Sequence, residues 1–477
     1  METRNWIGGE WSTPNAGEVS VRNPSELTET VGTLKLSSGA ELLQAVDAAR
    51  RVWRIWGKMT GAARGECLYR MSLLLERNSE DVARLASREM GKPIVEMRGE
   101  VARGVQLLRY YAAEGVRAIG DVIPSTQPNV MQYAKRVPLG VVAIVTPWNF
   151  PVAIPIWKLA PALICGNTVV WKPAEFASLT AAKLAELFSE AGLPPGTLNL
   201  VIGKGSVLGR TLLEEASIDG LSFTGSTATG MMIGAACAAR NVKYQTEMGG
   251  KNAAVVLKDA NVTMAVNAVL SGAFRSAGQK CTATSRIIVE KPVYDEFVQQ
   301  LSTAMLQLQV RNALDERAYL GPVASAEQFR TVMAYVEQAK ADGRTLAAVE
   351  APDSELGYYI APRIIEGVDP EHALVQEEVF GPLAVVLPAE DVDEAIELAN
   401  RTVFGLSASV FTTNLANAFR FLDEMDAGLV RVNQETAGVE YQAPFGGMKG
   451  SSSHTREQGQ SALEFYSAVK TCSIQYR

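Results

Sequence analysis

Residues 273–282 of this 477-residue chain read A-F-R-S-A-G-Q-K-C-T and carry the residue types of covalent catalysis. Cys281 stands among small neighbours, which leave room for a substrate and a cofactor to approach its sulfur. A thiolate there would attack a carbonyl carbon. The alternative is a cysteine packed as one more small hydrophobe. Glu247, in Q-T-E-M-G-G-K, is a carboxylate followed by two glycines, with space beside it for a water. It is either a general base or a structural carboxylate bonded to nearby backbone. Asn149 lies between two prolines in P-W-N-F-P, so a rigid turn holds its amide. It can donate to a developing oxyanion, or it only satisfies the turn's own backbone.

A second group of residues has the character of a nucleotide site. Lys172 and Glu175, in W-K-P-A-E, could grip the two hydroxyls of a ribose, or be solvent-facing loop charges. The segment G-K-G-S-V-L-G contributes Gly203, Gly205 and Gly209. It departs from the dinucleotide fingerprint, because its third glycine comes after three intervening residues rather than two. In F-T-G-S-T, Gly225 and Ser226 open a helix, where they offer donors to a phosphate or form an ordinary N-cap. Glu378 and Phe380 in Q-E-E-V-F-G-P, and Phe445 to Ser451 in F-G-G-M-K-G-S, read by themselves as turns.

The elements that must position these residues follow from hydrophobic periodicity. Residues 1–37 alternate apolar residues with turn formers and predict short strands. Residues 38–118 repeat apolar residues at three and four and predict amphipathic helices, one of them stopped at Gly91. From Val141 a different rhythm begins, in which short apolar strands alternate with helices. The helices are expected at 179–191, 206–215 and 227–239, and each reaction-type residue falls near a strand end. That rhythm predicts a mainly parallel, doubly wound α/β sheet, with ligands beyond the carboxyl ends of its strands. A second α/β series starts after Gly250, with a helix at 262–275 and another ending near 309. The apolar run Val137–Trp171 is broken by five prolines and holds Asn149 and Lys158, so it is not read as a membrane span.

Composition narrows the function. A formal net charge of -7 argues against nucleic acid or an anionic membrane as partner. The five cysteines (Cys67, Cys165, Cys237, Cys281 and Cys472) are widely spread and fit a reducing, cytoplasmic setting, and none forms a C-x-x-C metal site. The first residues hold no apolar run of a targeting peptide. With only His372 and His454 present, a histidine-rich metal site is excluded. A nucleophile would be activated instead by a carboxylate, a lysine, backbone dipoles or a cofactor charge.

Taken in order, P-W-N-F-P, W-K-P-A-E, F-T-G-S-T, E-M-G-G-K, G-Q-K-C, E-E-V-F-G-P and P-F-G-G-M-K-G-S form a series that resembles the aldehyde dehydrogenase superfamily across essentially the whole chain. The resemblance implies NAD(P)-dependent, non-acylating oxidation of an aldehyde to an acid. Cys281 would be the nucleophile, Asn149 and the Cys281 backbone N–H the oxyanion hole, and Glu247 the general base. Lys172 and Glu175 would hold the adenosine ribose, Ser226 the pyrophosphate, and Glu378 the nicotinamide ribose with Phe380 beside it. The rest of the implied cofactor surface is Thr146, Pro147, Trp148, Pro173, Ala174, Gly205, Gly209, Phe223, Thr224, Gly225, Met248 and Gly249. Met248 stands where a leucine is more usual, a volume-conserving change. Phe150, Trp157, Phe445 and Arg275 would face the substrate, and no metal is implied.

The family pattern also implies a cofactor domain at 1–118 and 139–249 and a catalytic domain at 250–467. Bridging strands at 119–138 and 468–477 would build a homodimer or homotetramer. Arg275, six residues before the cysteine, looks like members that oxidise semialdehydes bearing a carboxylate; the alternative is a structural ion pair. The closing pattern V-N-Q-E-T-A-G-V-E-Y-Q-A-P-F-G-G-M-K is similar to the ketoglutarate-semialdehyde branch. The expected substrate is thus 2-oxoglutarate semialdehyde or succinate semialdehyde. Alternatives are an aromatic, betaine or general aliphatic aldehyde, a CoA-acylating reaction, or a non-catalytic member of the fold. Glu247 argues against CoA acylation, because thiolysis has less need of a base that activates water. Glu175 favours NAD, since its charge would repel the 2′-phosphate of NADP, which stays open as a cofactor.

Overall fold

The computed structural model describes residues 1–117 and 120–477. The chain opens with strands β1 (Asn5–Ile7), β2 (Glu10–Ser12), β3 (Glu18–Asn23) and β4 (Glu26–Lys35). Four amphipathic helices follow: α1 (Gly39–Lys58), α2 (Gly61–Arg77), α3 (Ser79–Met90) and α4 (Ile94–Glu114). Gly91 caps α3 with φ +82°, and its missing side chain admits Pro322, whose Cγ would lie 2.8 Å from a Cβ. This is the helix stop expected at that glycine. Strands β5 (Gly120–Ile123) and β6 (Val130–Pro138) come next.

The alternating region then gives β7 (Val141–Thr146), α5 (Ala153–Ile164), β8 (Thr168–Pro173), α6 (Ser178–Ser189), β9 (Leu198–Leu200), α7 (Gly205–Glu214), β10 (Gly220–Thr224), α8 (Thr227–Ala239) and β11 (Lys243–Glu247). All residues of β8 and β10 are buried, as helices on both faces of a parallel sheet require. The sheet order is β11-β10-β7-β8-β9-β1-β2, and the pairs from β11 to β9 are parallel. The chain therefore runs outward from β7 through β8 to β9, then returns to β10 on the other side of β7. That reversal opens a crevice at the carboxyl ends of β7 and β10, where such sheets bind ligands.

The second series begins at β12 (Asn252–Val256) and continues through α9 (Val262–Phe274), β13 (Thr284–Glu290), α10 (Lys291–Met305) and α11 (Ala326–Asp342). It goes on with β14 (Arg344–Ala348), β15 (Arg363–Glu366), α12 (Ala373–Gln376), β16 (Leu383–Ala389), α13 (Val392–Asn400), β17 (Phe404–Gly405), β18 (Ser407–Phe411), α14 (Leu415–Glu424) and β19 (Leu429–Val432). Seven of these strands form a sheet in the order β14-β15-β16-β13-β12-β18-β19. Between the sheets the chain passes from the carboxyl end of β11 at Glu247 to the amino end of β12 at Asn252. One sheet's strand ends thus meet the other's strand starts, and the cysteine segment lies just before β13.

The chain closes with β20 (Met448–Lys449), α15 (Ser461–Phe465) and β21 (Ser467–Gln475). Strands β21, β6 and β5 make a separate three-stranded antiparallel sheet. The expected boundary between 118 and 119 lies outside the described residues. Residues 461–466 fall within the expected catalytic domain at 250–467, and Ala462, Phe465 and Tyr466 are buried in the apolar core that also holds α4 and α5. Apolar side chains from both ends of the sequence are needed to close that core. Helix α5 is buried at every position but spans only 12 residues, and no described helix is long and apolar enough to cross a membrane.

Candidate active site

The cysteine segment is held in a strained shape. Ser276, Ala277 and Gly278 all have left-handed backbones, with φ of 55°, 53° and 70°. Such a conformation costs on the order of 1–3 kcal/mol for each non-glycine residue, so its surroundings must enforce it. Gly278 is required, because a Cβ there would lie 2.2 Å from the Gly381 carbonyl oxygen. Glu96, on α4, clamps the bend by accepting from the Ser276 N–H at 2.8 Å and the Ser276 hydroxyl at 2.7 Å. Gln279 is fixed next, since its side-chain oxygen accepts from the Ala324 N–H at 2.9 Å.

This bend delivers Cys281, a partly exposed free thiol, into an apolar group with Leu406, Leu429, Val439 and Phe445. Its carbonyl accepts from Asn252 Nδ2 at 2.8 Å, and a Cβ on Gly250 would lie 2.5 Å from that carbonyl oxygen. The glycines after Glu247 thus serve close approach, of the Glu378 carboxylate to Gly249 and of the Cys281 carbonyl to Gly250. Asn149 donates one amide hydrogen to the Gln279 carbonyl at 3.0 Å, which orients the buried side chain against the cysteine segment. Among the described residues its second amide hydrogen has no acceptor.

Two glutamates bear on the sulfur. Burial raises the Cys281 pKa above its ordinary value, and the charges of Glu378 and then Glu247 raise it further. Backbone N–H groups of Thr282 and Cys281 act the other way. Glu247 ends β11 and is buried, and its Oε2 accepts from the Ser452 hydroxyl at 2.5 Å. Its buried Oε1 has no partner among the described residues and faces Gly446, where a Cβ would lie 3.0 Å away. Burial holds the Glu247 pKa well above the carboxylate range, and the neighbouring Glu457 adds to the effect.

Behind Glu247 lies a buried polar chain that the sequence reading did not identify. Lys158 Nζ pairs with Glu457 and also donates to the Ser222 hydroxyl at 2.8 Å. Trp157 Nε1 donates to the other Glu457 oxygen at 2.6 Å, and the Trp157 ring lies 5.4 Å from that of Phe445. A sequence signal did exist, because a lysine inside a wholly apolar helix must meet an opposite charge in the core.

The nucleotide-type residues gather along the strand ends. Lys172, next to last in β8, is almost fully buried, and burial lowers its pKa while Glu175 opposes that shift. The Gly205 N–H, at the start of α7, donates to Glu175 Oε1 at 3.2 Å. Gly209 lies one turn into α7 with open space around it. Ser226 caps α8, and the Thr224 hydroxyl at the end of β10 is buried without a partner among the described residues. Thr146 differs, because its hydroxyl accepts from Trp171 Nε1 at 2.9 Å and so holds the sheet together. Pro147 continues from Thr146 into the turn, Pro173 is the last residue of β8, and Ala174 leads to Glu175. Gly225 cannot carry a Cβ, which would lie 2.5 Å from the Phe223 ring, and Met248 packs against Gly230 of α8.

Glu378 lies nearer the cysteine. Its Oε1 accepts from the Gly250 N–H at 3.0 Å, and a Cβ on Gly249 would lie 2.4 Å from its Oε2. Burial pushes its pKa up to about 7, against the Gly250 N–H and Lys251. Phe380 has φ +53° and packs edge-on to Trp148 at 5.5 Å. These residues fit a dinucleotide, with glycines wherever a side chain would fill the cradle and an unpartnered hydroxyl at the sheet's switch point.

Two substrate expectations stand apart from the apolar group at Cys281. The Phe150 ring faces Lys92, whose Nζ lies 3.7 Å from its centroid. Arg275 is exposed, with its guanidinium 5.5 Å from the Tyr319 ring. Among the described residues no carboxylate lies within 4.0 Å of Arg275, so the structural ion pair considered for it is not formed.

Residues 11–472 match the family model described as the aldehyde dehydrogenase family. The chain is 48% identical over 475 residues to the alpha-ketoglutaric semialdehyde dehydrogenase of Bacillus subtilis, covering 98% of this chain and 97% of that protein. It is 38% identical to the 2,5-dioxopentanoate dehydrogenase of Saccharolobus solfataricus, covering 99% of both chains. Among solved structures it is similar to betaine aldehyde dehydrogenase from Staphylococcus aureus in complex with NAD+, with a TM-score of 0.95 and 33% identity, covering 99% of this chain and 95% of that one.

Proposed function

The chain belongs to the aldehyde dehydrogenase family, and from that premise we propose that it oxidises 2-oxoglutarate semialdehyde (2,5-dioxopentanoate) to the corresponding dicarboxylate with NAD. The observation that carries the reaction is the meeting of Cys281, an oriented Asn149 amide and a Glu247 with one free oxygen. The substrate follows from the named relatives and from an Arg275 that lacks a carboxylate partner.

Each residue's part follows from its placement. Sulfur of the deprotonated Cys281 attacks the aldehyde carbon, and the carbonyl electron pair moves to oxygen. The Asn149 amide and the Cys281 N–H stabilise that oxyanion; in such sites one donor contributes about 3–4 kcal/mol. When bound, NAD supplies a cationic ring that favours the thiolate and accepts the hydride from the substrate carbon. Lys172, Glu175 and Ser226 would hold its adenosine end, and Glu378 and Phe380 its nicotinamide end. A thioester on Cys281 remains. Glu247 Oε1 takes a proton from water, whose oxygen attacks the thioester carbon, and the Cys281 thiolate leaves.

The residues carry a soluble-enzyme reading further. Five cysteines without a disulfide support a reducing cytoplasm as the setting. The sheet β5-β6-β21 exposes Val122, Ile123, Met131, Val469 and Ile474, which supports assembly of a homodimer or homotetramer through it.

The test is kcat/KM over carboxylated semialdehydes, aromatic aldehydes and betaine aldehyde, each with NAD and NADP. The highest value is expected for 2-oxoglutarate semialdehyde with NAD, and Cys281→Ala should show no turnover. A maximum on a neutral or cationic aldehyde would refute the substrate. NADH formation that depends on added CoA would refute the hydrolytic half-reaction.

A further inference from the structure

We propose that Arg103 is a second specificity-determining residue, one that holds the substrate carboxylate at the rim of the Cys281 pocket; this deepens the semialdehyde reading and rests on it. Arg103 projects from α4, which is pressed so tightly to α5 that a Cβ on Gly104 would lie 2.7 Å from Ile156 Cδ1. Its half-buried guanidinium uses Nη2 alone, donating to the Val439 carbonyl and, at 3.1 Å, to Gln458 Oε1. The Tyr441 ring lies 6.0 Å away. Leu429 and Val439, which pack beside the cysteine, line the groove into which Arg103 also opens. The arginine and the nucleophile therefore share two neighbours.

The guanidinium is positioned but not neutralised. Among the described residues, its Nε and Nη1 have no acceptor and no carboxylate lies within 4.0 Å. Glu440 acts on this guanidinium through space without pairing to it, and a ligand carboxylate in direct contact would supply the ion pair that the half-buried cation lacks. The planar fork presents paired N–H donors that match a carboxylate, which a lysine cannot reproduce. Arg431, Glu435 and Glu440 line the same groove, so its charges balance. Attraction is therefore local to the unused side of Arg103, since Arg431 Nη1 is committed to the carbonyls of Glu435 and Ala437. A molecule with an aldehyde at one end and a carboxylate at the other can place the first on the sulfur while the second projects toward this rim. Arg275, on a different element, would act in addition.

The experiment compares 2-oxoglutarate semialdehyde with pentanal, a neutral aldehyde of equal chain length, in wild type, Arg103→Met, Arg103→Lys and Arg275→Ala. Arg103→Met keeps the bulk and removes the charge. It should lower the ratio of kcat/KM for semialdehyde over pentanal by about tenfold or more, near 1.4 kcal/mol, mainly through KM. Arg103→Lys should recover only part of that ratio. Equal losses on both aldehydes would show that Arg103 merely packs α4 and would overturn the proposal. An unchanged ratio in Arg103→Met, with a lowered ratio in Arg275→Ala, would also overturn it and leave the semialdehyde reading standing. A wild type without preference for the semialdehyde would overturn that reading and this proposal together.

Discussion

Two buried glutamates in this molecule have opposite fates. Glu100, on α4, has every oxygen occupied. Its Oε1 accepts from the Val152 and Ala153 N–H groups at the start of α5, at 2.8 and 3.0 Å, and its Oε2 pairs with buried Lys92 at 2.6 Å. Glu247 has one oxygen on Ser452, the other free, and a second carboxylate, Glu457, nearby. The first is a strut that ties two helices together. The second is buried beside another carboxylate, so that its proton affinity is high, and among the described residues one of its oxygens has no hydrogen-bond partner. In this fold burial alone does not single out a candidate general base; the incomplete hydrogen bonding does.

Substitution separates the two roles. Glu247→Gln keeps the shape and removes the base, and should lower steady-state turnover by roughly 10²–10⁴-fold. A first burst of NADH equivalent to one turnover should survive, with an acyl adduct on Cys281 visible by mass spectrometry. Loss of the burst together with turnover would mean that Glu247 acts before hydride transfer. Glu100→Gln should do the reverse. It leaves Lys92 buried without its counter-charge, which typically costs about 3–5 kcal/mol of stability. The thermal midpoint should fall, while kcat per folded molecule stays within a few-fold. If Glu100→Gln lowers kcat as steeply as Glu247→Gln, the division between strut and base is wrong.

The same contrast explains what was legible in the sequence. Period and strand rhythm are local properties, so α8 appears at its expected residues and α7 is displaced by one residue from 206–215. Cys281, Glu247 and Asn149 stood out because glycines and prolines around them announce close approach and rigid turns. The partners that give these residues their chemistry did not stand out. Ser452 follows Glu247 by 205 positions, and Glu457 follows Lys158 by 299. No periodicity links residues that far apart. The strain at Ser276 and Ala277 was equally hidden, because serine and alanine do not advertise a left-handed backbone, and the clamp at Glu96 was one charge of an amphipathic helix. Arg103 was missed for the same reason. It sits among the polar residues of an amphipathic helix, and only the packing of α4 on α5 brings it to the groove.

Ser452 offers the finest probe of the comparison, since it makes the one hydrogen bond on Glu247 that favours the ionised form. Its hydroxyl also accepts from the Gly447 N–H at 2.6 Å, so the serine joins that loop to the base. Ser452→Ala removes a bond to a carboxylate, worth about 1.5–3 kcal/mol to the charged state. At 1.36 kcal/mol per pH unit, the Glu247 pKa should rise by roughly one to two units. A base works only when deprotonated, so the acid limb of the kcat profile must move to higher pH. Below that limb the variant should be about tenfold slower or more, and on the plateau it should approach wild type. An equivalent substitution beside Glu100, Lys92→Met, should lower stability without moving the limb. If Ser452→Ala lowers kcat equally at every pH, the limb does not report Glu247, and the free oxygen that distinguishes this glutamate from Glu100 is not the one that takes the proton.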